Sequence, residues 1–335
     1  MNIRTGKRRS VIAAGTLGVV VLAAGVGANA QTSDEGDEWN TVVEEARENV
    51  TAHEFEGDVV VEWHDDDGPH KEEIAVRQRD GLVEVDADRT LVANDSARLL
   101  VDGQHWTTLA TDDAGPPELA PGKYTIDSGR GPRIAGHQTM RYEASRDDRV
   151  VERVYVSDET GLVLRRERLA PNGTVTRAVT FTNVRTFAPR DQSPPTTEAA
   201  ANGPEPVDDV DRPYRDPESV GDGFQLLGRW QHDDEVVQLY YSDGVLAISV
   251  FEQPGDLEWE ELPPGGTDAE VADKRAVRYA LPGGEAWVFE RAGVVYTVVG
   301  AAPASELEAV AASVSAPDES RVERMARMVV EPFRW

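Results

Sequence analysis

The chain has 335 residues, with 62 acidic residues against 34 Lys and Arg, and a formal net charge of −28 at pH 7. A surface this acidic repels nucleic acid and anionic membrane, which argues against nucleic-acid binding and favours a solvating role over a dedicated cation site. Because the chain has no cysteine, disulfides and thiol nucleophiles are excluded, and the fold is held by its core alone.

Residues 1–30 have the three parts of a signal peptide. Basic residues at positions 4, 7, 8 and 9 precede an uncharged run that ends in Ala28-Asn29-Ala30. This pattern predicts export and cleavage before Gln31, with a twin-arginine signal at Arg8-Arg9 as a looser match. Cleavage would change the net charge from −28 to −32, since residues 1–30 hold four basic and no acidic residues. An uncleaved anchor is the alternative, because the run approaches the about 20 residues of a membrane-spanning helix.

A first domain is predicted over 39–187. Apolar residues at helical spacing over 39–53 indicate an amphipathic helix. Alternating apolar and polar residues then predict antiparallel strands joined by Asp-Gly and Asn-Gly turns. These strands are 57–63, 73–79, 82–86, 97–101, 104–109, 138–144, 150–156, 162–168 and 174–184. The pattern predicts an α+β fold in which a curved antiparallel sheet carries one packed helix.

A proline-rich linker is predicted over 188–218, because seven prolines there block regular hydrogen bonding. A smaller second domain follows over 219–316, with a helix beginning at Pro303. Its predicted strands are 224–230, 235–241, 245–251, 275–280, 285–290 and 293–299. Residues 317–335 form an arginine-bearing amphipathic tail.

Motifs for catalysis or cofactor binding are missing from the sequence. No two of the six histidines have the i, i+4 spacing of helix-borne zinc sites, and His64 and His70 flank an acidic turn that we interpret as solvated. Neither a Gly-x-Ser-x-Gly elbow nor a phosphate-binding glycine loop occurs. The sequence therefore predicts a non-enzymatic protein without metal or cofactor, against the alternative of an enzyme with an unrecognised carboxylate pair.

Two sets of residues on the first-domain strands are candidates for binding. The aromatic set is expected to line an apolar ligand cavity between the sheet and the 39–53 helix, or else to fill the core. It consists of Trp63, Trp106, Tyr142 and Phe181. The arginine set, near the 158–161 turn, is expected to contact an acidic partner, or else to form cross-strand pairs with glutamates. It consists of Arg153, Arg165, Arg166 and Arg168.

Several segments resemble the MucB/RseB family of extracytoplasmic sigma-factor regulators. In the first domain these are 134–142, 153–165 and 179–184, with an aspartate-led turn before Gly161-Leu162. In the second, Gln238 to Phe251 is similar to the family's Tyr-Ser-Asp-Gly hairpin, and 292–300 with the following helix resembles its last strand and helix. The resemblance implies a half-open β-barrel like that of lipoprotein carriers, joined to a smaller α/β domain.

The same resemblance implies a function. A protein of this family would be an exported, extracytoplasmic regulator that binds the extracytoplasmic domain of a membrane anti-sigma factor and senses an envelope ligand such as a lipid. The alternative that we keep open is a carrier of lipid or lipoprotein that regulates nothing. The acidity of the chain, its proline-rich linker and its arginine-bearing tail depart from the family pattern.

Overall fold

The structure, a computed structural model, describes residues 39, 41, 42, 45, 54–65, 68–79, 82–85, 89–93, 97–102, 105–111, 120, 122–187, 205–207, 217–232, 236–281, 284–300 and 302–314. The predicted signal peptide, the amphipathic tail, most of the linker and most of the 39–53 helix lie outside these residues. Trp39, Thr41, Val42 and Glu45 have helical backbone, and the Trp39 side chain is buried.

In the part of the chain that the structure describes, eleven antiparallel strands form the first sheet. They are β1 Glu54–Asp65, β2 Gly68–Arg79, β3 Leu82–Val85, β4 Arg89–Ala93, β5 Ala97–Asp102, β6 His105–Thr111, β7 Thr125–Arg130, β8 Thr139–Arg146, β9 Arg149–Ser157, β10 Val163–Leu169 and β11 Val175–Phe187. Their order is β6-β5-β4-β3-β2-β1-β11-β10-β9-β8-β7. Strand β11, the last of the eleven in the chain, therefore pairs with β1, the first. The sheet is open over the described residues, with β6 at one edge and β7 at the other.

Over the described residues, nine strands, one α-helix and a short 3-10 helix form the second unit. The strands are β12 Glu205–Pro206, β13 Ser219–Val220, β14 Phe224–His232, β15 Val236–Ser242, β16 Ala247–Pro254, β17 Thr267–Val271, β18 Lys274–Leu281, β19 Gly284–Arg291 and β20 Val294–Gly300. The order is β12-β14-β15-β16-β20-β19-β18-β17, with β13 also paired to β14. A short 3-10 helix covers Trp259–Glu261, and helix α1 covers Ala304–Val314.

The periodicity of α1 explains its place on the second sheet. Leu307, Val310, Ala311 and Val314 recur at helical spacing, and all four are fully buried in the core. The sequence prediction of this helix is confirmed. Because sheets dominate both units, the described fold is mostly β, and the half-open barrel stays a prediction.

Five strands were not predicted from the sequence: β4, β7, β12, β13 and β17. Of these, β12 lies inside the predicted linker, where Glu205 and Pro206 pair with Gln231 and Trp230 of β14. Proline is tolerated there because β12 is an edge strand.

Candidate functional site

A buried turn of the second sheet makes contacts with residues that flank or belong to the first sheet. This bridging turn, residues 242–246, joins β15 to β16. The Asp243 side chain holds its shape, because Oδ1 accepts hydrogen bonds from the backbone N–H groups of Val245 at 3.0 Å and Leu246 at 2.7 Å. Gly244 has φ of +92°, which a glycine adopts without steric cost. The Asp-Gly pair thus folds the turn and leaves one carboxylate oxygen free of the turn itself.

That second oxygen, Asp243 Oδ2, binds two side chains that precede β7. Lys123 Nζ lies 2.6 Å away and Tyr124 Oη donates to it at 2.7 Å. The side chain of Asp243 is 0% exposed and that of Lys123 is 7% exposed, so this is a buried ion pair. Lys123 Nζ also donates to the Asp222 carbonyl oxygen at 2.5 Å and lies 4.6 Å from the centroid of the Phe224 ring.

Other polar contacts extend this connection into a seam between the two sheets. The backbone N–H of Ala120 donates to the Asp243 carbonyl at 2.9 Å, and Trp39 Nε1 donates to the Gly244 carbonyl at 3.1 Å. On the helix side, Glu306 of α1 accepts a hydrogen bond from Arg146 Nη1 at 2.7 Å. Lys123 also approaches Glu306, at 3.5 Å. The seam therefore consists of buried charges and backbone groups that partner one another.

Burial, and after it the negative charge of Asp243, raises the pKa of Tyr124 far above its usual 10. The phenol therefore keeps its proton through the physiological range. This fixes Tyr124 as a donor to Asp243.

A row of cross-strand neighbours lies on one face of the first sheet. We call this face, which carries Val59, Val61, Val154 and Val179, the inner face. The register places one residue from each of five adjacent strands in line, on β9, β10, β11, β1 and β2. The row is Glu152, Arg168, Arg177, Trp63 and His70. Trp63 and His70 stack with ring centroids 5.1 Å apart.

Glu152 is the acidic member of the row and is fully buried. Arg168 Nε donates to Glu152 Oε2 at 2.7 Å, and Arg166, one row away, donates to Oε1. Arg166 Nη2 also reaches the Val245 carbonyl of the bridging turn at 3.4 Å. The row is thereby connected to the seam through Arg166.

Arg177 differs from the other two arginines. Its Nε and Nη2 atoms are buried and have no hydrogen-bond partner. Burial, followed by the charges of Arg168 and Arg166, lowers the pKa of Arg177 to about 9, so it remains a cation at neutral pH. Arg166 and Arg168 thus bind the Glu152 carboxylate, and Arg177 lies beside Arg168 in the row.

The register divides the predicted arginine set between the two faces of the sheet. Arg166 and Arg168 lie on the inner face with Glu152. Arg153 and Arg165 lie on the opposite face, where Arg153 pairs with Glu143 at 2.5 Å and with Glu167 at 2.8 Å. Arg165 pairs with Glu167 at 2.5 Å. Arg153, Arg166 and Arg168 form cross-strand ion pairs, whereas Arg165 pairs with Glu167 on its own strand. Contact with an acidic partner stays a prediction.

The predicted aromatic set is partly brought together. Trp63, Tyr142 and Phe181 lie on the inner face, since Tyr142 pairs with Val154 and Phe181 pairs with Val59. Phe181 is buried and packs edge-on against Phe55 with centroids 6.0 Å apart, whereas Trp63 and Tyr142 are half-buried. Trp106 lies on β6, and its side chain is outside the described residues. A ligand cavity at this set stays a prediction.

Sequence reasoning missed most of the seam. The 242–244 segment was predicted as a turn, but neither its burial nor the partners Lys123, Tyr124 and Glu306 were predicted. One signal was available, because Asp243 is the one charged residue between Val236 and Ile248, where turns are ordinarily solvated.

Within the part of the chain that the structure describes, no three His, Asp or Glu side chains are grouped to hold a metal ion. Over the same residues, no helix has the length and apolar character needed to cross a membrane.

Comparison with solved structures shows that this chain is similar to MucB. The chain is 20% identical to a crystal structure of MucB, with 84% of this chain and 98% of that chain covered and a TM-score of 0.48. The complex of Pseudomonas aeruginosa MucA and MucB matches at 20% identity, with 82% and 98% covered and a TM-score of 0.44. A LolA superfamily protein from Nitrosomonas europaea matches at 9% identity, with 80% and 92% covered and a TM-score of 0.18. No protein-family model and no curated protein matches the chain. The sequence resemblance is thus accompanied by a match to solved structures of MucB.

Proposed function

We propose that this protein is an exported regulatory binding protein that holds the extracytoplasmic domain of a membrane anti-sigma factor and responds to an envelope ligand. It would consist of two domains, 39–187 and 219–316, joined by the 188–218 linker after removal of the signal peptide. The anti-sigma factor is chosen as partner from the sequence resemblance. The physical support comes from the seam.

The polar seam is the observation that carries the proposal. A contact made of buried ion pairs contributes little net stability, because desolvation of the charges offsets their attraction. Buried side chains of both sheets also form one continuous apolar core, so the seam adds charged contacts to apolar ones. A ligand or partner that prefers one arrangement of the sheets shifts the population by its difference in affinity, and the charges of the seam are where it would act.

Two partly exposed arginines of the first sheet are the proposed contact for the acidic partner. Arg153 and Arg165 lie together on the face opposite the inner face, and each retains part of its side chain in solvent. A protein of net charge −28 attracts an acidic partner only where its own field is locally reversed. Arg166 and Arg168, which face inward, would act on the partner only through the seam.

The test is capture of the partner by the full chain from the host's envelope fraction. A membrane anti-sigma factor in the eluate supports regulation. Co-purified lipid without an anti-sigma factor would favour the alternative, a carrier of lipid or lipoprotein. The observation that supports this alternative is the half-buried state of Trp63 and Tyr142 on the inner face.

A kinetic experiment tests the contact face. We expect the double variant Arg153→Glu and Arg165→Glu to associate about tenfold more slowly at low salt, since electrostatic steering sets the on-rate. In about 1 M salt the screening length is about 3 Å, so the difference should vanish. Arg185→Glu, on the same sheet with a 77% exposed side chain, is the matched control. An unchanged on-rate would remove this face from the proposal.

A further inference from the structure

We infer that Arg177 is the anchor of a binding site for a single anionic oxyacid group, a carboxylate or a phosphate, at the inner face of the first sheet. This inference deepens the ligand-sensing part of the proposed function and names the chemistry of the ligand. It does not depend on which protein partner is bound.

The first argument is the missing partner. A guanidinium carries five N–H donors, and buried donors in folded proteins are nearly always hydrogen-bonded. Arg177 Nε and Nη2 are buried without any partner. Nε and one Nη of an arginine form the edge that binds the two oxygens of a carboxylate or phosphate in a fork. The unpartnered atoms are thus the pair that such an anion would occupy.

The second argument is the uncompensated charge. Arg168 and Arg177 are direct cross-strand neighbours, and like charges in that position repel. Both carboxylate oxygens of Glu152 already accept hydrogen bonds from Arg168 and Arg166, so Glu152 offers Arg177 little compensation for its charge. The charges of Arg168 and Arg166 each act on Arg177 more strongly than the charge of Glu152 does. Among the described residues of the seam, the carboxylates of Asp243 and Glu306 are already paired with Lys123 and Arg146.

The third argument concerns what else the ligand would touch. On the other side of Arg177 in the row lies Trp63, which is half-buried and stacks on His70. An anionic head at Arg177 would therefore have an aromatic surface beside it, and the apolar residues Val61 and Val179 lie in the next row of the same face. This arrangement suits the head and first carbons of an amphiphile, and it also admits a free anion.

Titration calorimetry with the full chain tests the site and separates the two sources. Dodecanoate below its micelle concentration supplies a carboxylate on a chain, and its methyl ester supplies the chain without the charge. Acetate and inorganic phosphate supply the charge without the chain. We expect saturable binding of at least one anionic probe. Binding of acetate or phosphate would identify a free anion, and binding of dodecanoate alone would identify an amphiphile head.

The decisive variant is Arg177→Gln, with Arg185→Gln on the same strand as the matched control. Loss of a charge-assisted pair should weaken binding of the anionic probe about tenfold or more, and leave any binding of the methyl ester unchanged. The control should bind as the wild type does. Arg177→Lys, which keeps the charge and loses the fork, should fall between the two. Equal affinity of wild type and Arg177→Gln for every anionic probe, or no saturable binding by the wild type, overturns the inference.

Two melting experiments do not depend on measuring binding by the variant. The melting temperature of ligand-free Arg177→Gln should exceed that of the wild type, because an uncompensated buried cation is removed; a lower value contradicts the argument. In the wild type, dodecanoate, or phosphate against chloride at equal ionic strength, should raise the melting temperature. Equal melting temperatures with each anion and its control would overturn the site. Loss of anti-sigma capture with intact anion binding would fault the proposed function alone.

Discussion

Replacing Asp243 by Asn should destabilise the protein more than any exposed charge replacement. Asparagine can keep Oδ1 as the acceptor for the backbone N–H groups of Val245 and Leu246, so the bridging turn survives. Its amide nitrogen, however, meets Lys123 Nζ and Tyr124 Oη where the wild type has a carboxylate oxygen at 2.6 and 2.7 Å. The change therefore isolates the contact between the sheets from the fold of the turn.

The expected magnitude follows from burial. Removing one partner of a buried ion pair costs about 3–5 kcal/mol, because the other charge is left without compensation. Lys123 keeps the Asp222 carbonyl oxygen at 2.5 Å and Glu306 at 3.5 Å, so we expect the lower end, about 3 kcal/mol. The control is Asp268→Asn, which removes an exposed pair with Arg275 and should cost less than about 1 kcal/mol.

Urea denaturation followed by tryptophan fluorescence measures both variants. We expect Asp243→Asn to lower the midpoint strongly or to split the transition into two, since the sheets would then unfold separately. The double variant Lys123→Met with Asp243→Asn should be more stable than the sum of the two single changes predicts, because it removes both charges. A loss as small as that of Asp268→Asn, in a single unsplit transition, would show that the seam is not energetically important.

Three further changes have expected outcomes. Tyr124→Phe should lower the free energy of unfolding by about 1–3 kcal/mol at pH 8. Above pH 10 the wild type should lose stability more steeply than this variant, because the raised pKa of Tyr124 lets only the unfolded chain release the phenol proton. Urea denaturation between pH 8 and 11 measures this. Glu152→Gln should lower the free energy of unfolding by about 3–5 kcal/mol, because it removes the carboxylate beside three arginines. Glu159→Gln, at an exposed position, should not do so. The midpoints of urea denaturation measure both. Gly57→Ala should destabilise the protein by about 1–3 kcal/mol, because the new Cβ would overlap a backbone oxygen of β11. Gly129→Ala on β7 is the control, since a Cβ there has room. The melting temperatures of the two variants test this.

Local sequence pattern predicted most of the strands and the last helix, because each depends on residues close together in the chain. The four apolar positions of α1 follow one face at helical spacing, and the Asp-Gly and Asn-Gly pairs mark hairpins that the structure contains. Strands β4, β7 and β17 escaped prediction because short or strongly charged segments carry a weak alternation signal.

The candidate site was harder to predict because it depends on register and on long-range contact. Whether Arg168 or its neighbour Glu167 shares the inner face with Glu152 is decided by a one-residue shift in pairing, since a shift of that size exchanges the two faces of a strand. The sequence placed both arginine and glutamate on β9 and β10 but could not assign the faces. In the same way, Asp243 is recognisable as a turn residue, whereas its pairing with Lys123 joins positions 120 residues apart.

The anion site and the seam are electrostatically connected, and this connection decides how a ligand would be sensed. Arg166 donates both to Glu152 in the arginine cluster and to the Val245 carbonyl of the bridging turn. Arg168 lies close enough to Tyr124 for its charge to oppose the rise in the pKa of that phenol. An anion on Arg177 would place a negative charge beside Arg168 and near Arg166, whose side chain reaches the Val245 carbonyl. Occupancy of the site should therefore alter the docking of the bridging turn.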